Sequence, residues 1–136
     1  MPTIHTIYLG DLRTEAEHLK SGNKVVTDAP PDNQGKGEAF SPTDLLTASL
    51  GSCMMTIMAI AARTAGFEPE LKGTEINLTK IMASEPRRVG EVIVEFNFPP
   101  NQFTDKQKRM LENAAKACPV SKSVSEDLKE TLIFNW

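Results

Sequence analysis

The chain has 136 residues, 40% of them hydrophobic and 24% charged, which is enough apolar material for a single domain over residues 1–136 without disulfide staples. A net charge of −3 offers no basic field for a phosphate backbone, and 6% aromatics with one Trp and one Tyr offer no stacking platform for bases. Nucleic acid is therefore excluded as a partner class. Two cysteines, Cys53 and Cys118, are too few for a disulfide framework, and no basic-then-apolar leader opens the chain, so a reducing cytoplasm is the expected compartment.

In chain order, Thr3–Leu9 is rich in β-branched residues and stops at Gly10-Asp11, which predicts a strand. Leu12–Leu19 reads as a weaker strand because its charges do not alternate cleanly. Ser21-Gly22-Asn23 is a turn, and Lys24–Thr27 resumes a strand. Residues 29–38 are loop by composition, long for a small domain and expected to act as a lid or a dimer arm around Gly35-Lys36-Gly37. Ser41-Pro42-Thr43-Asp44 then starts a helix, with Ser41 as cap, Pro42 at the first helical position and Asp44 at the capping-box acid position. This helix is expected to run to about Thr64 and stop at Ala65-Gly66. Its charge-free run Leu45–Ala62 approaches membrane-span length, but the Thr, Ser and Gly residues within it point to a helix buried inside protein on nearly every side.

Residues 71–83 and 89–98 predict two strands joined by a turn at Ser84–Arg88. In the second, Val92, Val94, Phe96 and Phe98 share one face, so one side of the sheet is covered. Thr104–Gln107 opens a second helix with a capping box, and Cys118 falls at its end because Pro119 follows at once. A short helix within 121–129 and a last strand over Thr131–Trp136 complete an α+β domain.

The chemistry centres on the cysteines. Each alone reads most simply as a small apolar filler. Yet both lie on the two best-defined helices, a packed helix pair would bring them together, and Gly51 and Ser52 leave room beside Cys53 for a ligand or a backbone. No Cys/His pair falls at zinc-ligand spacing and Gly35-Lys36-Gly37 is too short for a phosphate-binding loop, so neither metal nor cofactor is expected.

Three segments together carry a resemblance: Ser41-Pro42-Thr43-Asp44-Leu45-Leu46, Ala48-Ser49-Leu50-Gly51-Ser52-Cys53-Met54, and Ala114-Ala115-Lys116-Ala117-Cys118-Pro119-Val120-Ser121. In order and spacing they resemble the OsmC/Ohr family of organic hydroperoxide reductases, as a divergent member. The resemblance implies an OsmC-like fold, with strongly curved antiparallel sheets wrapped around two central helices in an intertwined homodimer. It also implies a cysteine-based peroxidase, with Cys53 attacking the peroxide, Cys118 resolving the sulfenic acid to a disulfide, and an external dithiol as reductant. An apolar pocket of Leu46, Leu50, Met54 and Ile57 would favour alkyl or lipid hydroperoxides.

An arginine beside the sulfur would favour the thiolate and polarise the peroxide. In the family a Glu directly after the helix-start Pro orients it; here that position is Thr43, and the acid follows at Asp44. Asp44 reads equally as a helix-capping acid. Arg13 is the only arginine of the N-terminal strands, with Lys20 a weaker cation, and Arg13 reads equally as a solvated strand charge. Two other functions stand beside the peroxidase: a binding protein for a small apolar ligand at the dimer interface, and a redox sensor whose disulfide changes a partner surface.

Overall fold

The computed structural model describes all residues, Met1–Trp136. It contains two three-stranded sheets and two principal helices in a mixed α+β arrangement. Internal contacts group the chain into two compact units, Met1–Leu46 and Thr47–Trp136.

The first unit is an antiparallel meander of β1 (Ile4–Gly10), β2 (Arg13–His18) and β3 (Lys24–Asp28), in the order β1-β2-β3. Between β1 and β2, Asp11 and Leu12 both adopt positive φ, 52° and 61°. That pair of left-handed residues gives a hairpin turn whose twist matches the strands. The weakly patterned second stretch is thus the central strand. Pairing on both edges holds it where its own alternation would not. The long loop carries one 3₁₀ turn, Pro31–Asn33, and is tied back by Gly35 N–H to the Pro30 carbonyl and Gly37 N–H to the Ala29 carbonyl. A Cβ on Gly35 would run into the Ala29 carbonyl, so only glycine fits there.

Helix α1 (Pro42–Ala65) begins at the end of the first unit and continues through the second. The second unit adds β4 (Glu75–Ala83), β5 (Arg88–Asn97), α2 (Asp105–Lys116), α3 (Pro119–Ser123) and β6 (Lys129–Asn135). Strands β4 and β5 form an antiparallel pair, and β6 joins β5 in parallel because α2 and α3 carry the chain back across the sheet. Residues 71–74, expected to open a strand, instead hold the end of a 3₁₀ turn at Glu68–Leu71 and the link that follows it, and Pro69 suits a first helical turn. For the same reason the short helix starts at Pro119 rather than at residue 121.

The core of this unit is Val92, Val94 and Phe96 of β5, Leu111 and Ala115 of α2, and Leu50, Met54, Met58 and Ala62 of α1. Phe96 stacks on Phe134, Phe98 stacks on Trp136, and Lys108 lies over the Trp136 ring. Contrary to the expectation of burial on nearly every side, α1 buries one stripe: Thr47, Leu50, Gly51, Met54, Met58 and Ala62. Ser52, Thr56 and Ile60 remain exposed, Ile60 at 55%. By length and composition α1 could cross a bilayer, but its buried stripe is that of a core helix seated on one sheet.

Candidate functional site

Cys53 sits in the middle of α1 and Cys118 at the junction of α2 and α3, 65 positions apart, and the fold makes neighbours of these two free thiols, near enough for Cys53 to bias the ionisation of Cys118. Their environments differ. Cys53 is half-buried and Cys118 is fully buried. Helical spacing, about 100° per residue, puts Cys53 on the same flank of α1 as Leu46, Ser49 and Ile57, to one side of the buried stripe. Cys118 caps α3: its Sγ accepts the Ser121 backbone N–H at 3.4 Å. Burial pushes the Cys118 thiol up, the neighbouring Cys53 pushes the same way, and the Ser121 and Val120 amides pull against both.

Ser121 is itself anchored. Its hydroxyl lies 2.6 and 2.8 Å from the two carboxylate oxygens of Glu130 on β6, sharing one hydrogen between them. Ser121 belongs to the third of the segments that carry the resemblance, but Glu130 does not stand out in the sequence. Nine positions and a change from helix to strand separate them, so no periodicity links the two.

In the first unit Arg13 is not a solvated charge. Its Nε donates to Asp28 Oδ1 at 3.2 Å and its Nη2 to Asp28 Oδ2 at 2.9 Å, a two-point clamp. Nη2 also donates to Glu38 Oε1 at 3.2 Å, and the Glu38 backbone N–H donates to Asp28 Oδ2 at 3.0 Å. The Asp28 side chain is completely buried, while Arg13 keeps a third of its side chain exposed. The Arg13 guanidinium, helped by the Glu38 amide, holds the Asp28 carboxyl below the usual carboxylate range, and Asp28 raises Arg13 in return. Arg13 and Asp28 are direct partners across β2 and β3. The signal was in the hairpin: the turn at Ser21–Asn23 sets a register that puts position 13 opposite position 28.

Asp44 takes the capping role. Its Oδ2 accepts the Ser41 backbone N–H at 3.0 Å while the Asp44 N–H donates to Ser41 Oγ at 3.0 Å, and the Thr43 hydroxyl meets Ser41 Oγ at 3.2 Å. The acids that clamp Arg13 are Asp28 and Glu38. Two expectations around Cys53 are corrected. Leu50 and Met54 have no exposed surface and belong to the core, so they cannot wall a ligand pocket with Leu46 and Ile57. Gly51 makes room for Leu78 of β4, not for a ligand: a Cβ there would fall 2.7 Å from Leu78 Cδ1.

Residues 35–132 match the family described as OsmC-like protein. Among solved structures, an osmotic stress induced and detoxification response protein from Psychrobacter arcticus 273-4 is 49% identical, with 99% of this chain and 96% of that one covered and a TM-score of 0.93. An organic hydroperoxide resistance protein OsmC from Legionella pneumophila is 16% identical over 100% and 98% of the two chains, with a TM-score of 0.70. A Vibrio cholerae organic hydroperoxide resistance protein, with captopril bound in one of its active sites, is 16% identical over 99% and 92%, with a TM-score of 0.74. At that identity the last two speak to the fold alone. No curated protein sequence matches. A family match over most of the length, joined to the Psychrobacter structure at nearly half identity, places the chain in the OsmC-like protein family.

Proposed function

We propose that the protein is a thiol-dependent peroxidase that reduces organic hydroperoxides to alcohols. The observation that carries this reading is a half-buried Cys53 neighbouring a buried Cys118, both free. The exposed partner is the one a hydroperoxide can reach. Its thiolate attacks the terminal peroxide oxygen, the O–O bond breaks, the alcohol leaves with a proton, and Cys53 becomes a sulfenic acid. Cys118 attacks that sulfur, water departs, and a disulfide closes between the neighbouring Cys53 and Cys118 side chains. An external dithiol restores both thiols.

Arg13 is the proposed cation for this chemistry. Asp28 and Glu38, rather than Asp44, orient its guanidinium within the N-terminal sheet. A homodimer is proposed as the working assembly, and the cytoplasm, where dithiol reductants are supplied, as the compartment. Organic hydroperoxide resistance in the name of the Legionella relative is consistent with the substrate class.

The deciding experiment adds one equivalent of cumene hydroperoxide to reduced protein and follows free thiols and intact mass. Rapid loss of both thiols and of two hydrogens, abolished in Cys53→Ser, is the expected result. In Cys118→Ser the oxidation should stop at a sulfenic acid that dimedone captures. Survival of both thiols in excess peroxide would refute the peroxidase reading and leave the redox-sensor and ligand-binding readings in its place.

A further inference from the structure

We infer that Glu130, acting through Ser121, is a positioning residue for Cys118: it holds the amide that receives the Cys118 sulfur when an external dithiol opens the disulfide. The inference rests on the Cys53–Cys118 disulfide of the proposed cycle. Three observations carry it. The Ser121 N–H donates to Cys118 Sγ at 3.4 Å. The hydroxyl of the same serine is held by both carboxylate oxygens of Glu130. Glu130 sits on β6, which is fixed to the core strand β5 by parallel pairing opposite Val92. Helix α3 has only five residues, too short to hold its own geometry, so its first-turn amide is aimed by this outside anchor.

The consequence is a direction of attack. Cys53 is the half-buried sulfur and Cys118 the buried one, so an incoming thiolate reaches Cys53. A new S–S bond forms between the reductant and Cys53, the Cys53–Cys118 bond breaks, and its electron pair goes to Cys118 Sγ. A second thiol of the reductant then displaces Cys53 and closes the reductant's own disulfide, while Cys118 takes up a proton. Burial makes a thiolate at Cys118 costly, and the fixed Ser121 amide offsets that cost where the charge develops. Glu130 lines two open clefts of about 460 and 420 Å³, so replacing it does not hollow a sealed core.

The test uses the full chain and bypasses peroxide. Wild type, Glu130→Gln, Glu130→Ala and Ser121→Ala are oxidised with diamide, the disulfide is confirmed by intact mass, and reduction by excess dithiothreitol is timed by quenching and alkylation. Glu130→Ala and Ser121→Ala should be reduced roughly tenfold more slowly than wild type, the worth of one hydrogen bond to a charged group. Glu130→Gln keeps an oxygen for the Ser121 hydroxyl and should stay within about twofold of wild type. With 2-mercaptoethanol, peptide mapping should find the mixed disulfide on Cys53. Wild-type rates in both alanine variants, a Gln variant as slow as Ala, an adduct on Cys118, or failure of diamide to close the disulfide would each overturn the inference. If diamide and dithiothreitol act as described but cumene hydroperoxide leaves Cys53 untouched, the peroxidase reading falls and this inference stands.

Discussion

Arg13 and Asp28 form the most constrained charged pair of the first unit, and their cost and benefit depend on pH in a defined way. A fully buried carboxylate is tolerable because two guanidinium donors and the Glu38 amide meet it. Its folded pKa is lower than the unfolded value of about 4, so the unfolded chain takes up the proton first as pH falls. The stability this group supplies is complete above that unfolded value and is lost as pH drops through the depressed folded one. Thermal melts between pH 7 and pH 2 should therefore show a steep acid decline in wild type and a shallower one in Asp28→Asn, which also melts lower at pH 7. The two sulfurs differ on the same grounds. With Cys118 fully buried and burial pushing its thiol up, iodoacetamide at pH 7.5 should label Cys53 first, and peptide mapping over time should show Cys118 lagging behind it.

Among the elements, α1 does two jobs on two flanks. One stripe packs against β4 at Gly51, where helix and sheet meet closely enough that Leu78 occupies the space of a side chain. The other flank carries Cys53 toward the surface. Gly51→Val should lower stability by about 1–3 kcal/mol in urea titrations, because a branched side chain must displace Leu78 with no freedom to turn away. Gly51→Ala should cost less, since the gain in helix propensity of about 1 kcal/mol opposes the push on a flexible Leu terminus. Helix starts were legible in the sequence: Ser41/Asp44 and Thr104/Gln107 both close reciprocal capping boxes. Helix α3 was legible only in part, because Pro119 marks a first turn while the Glu130 anchor on Ser121 comes from a strand.

Across the whole molecule, the apolar residues are unevenly spent. Every buried apolar side chain belongs to Thr47–Trp136, whereas the first unit buries only Thr27, Asp28 and Ser41. Its meander instead exposes Ile4, Ile7, Tyr8, Leu9 and Leu12, each by 47% or more. A small sheet with apolar residues left open and no core of its own is the kind of element that a second chain covers. Light scattering on the purified protein should accordingly give twice the 14.9 kDa chain mass, and a double change such as Ile7→Lys with Leu9→Lys should shift it toward the monomer. A monomer at micromolar concentration in wild type would remove the homodimer from the functional proposal.

Local chemistry written in neighbouring residues determined the caps, the turns, the alternation of β5 and the α+β order, since those depend on contacts within a few positions. It also put Cys53 within the first long helix and Cys118 just past the end of the second. Only the tertiary structure decided that the thiols are neighbours, that Cys118 is the sealed one, that Asp28 and Glu38 hold Arg13 while Asp44 caps a helix, and that Leu50 and Met54 are core rather than pocket. These outcomes turn on which flank of a helix a sheet covers and on how strands far apart in the chain register. Burial and long-range pairing settle both, and neither has a period in the sequence.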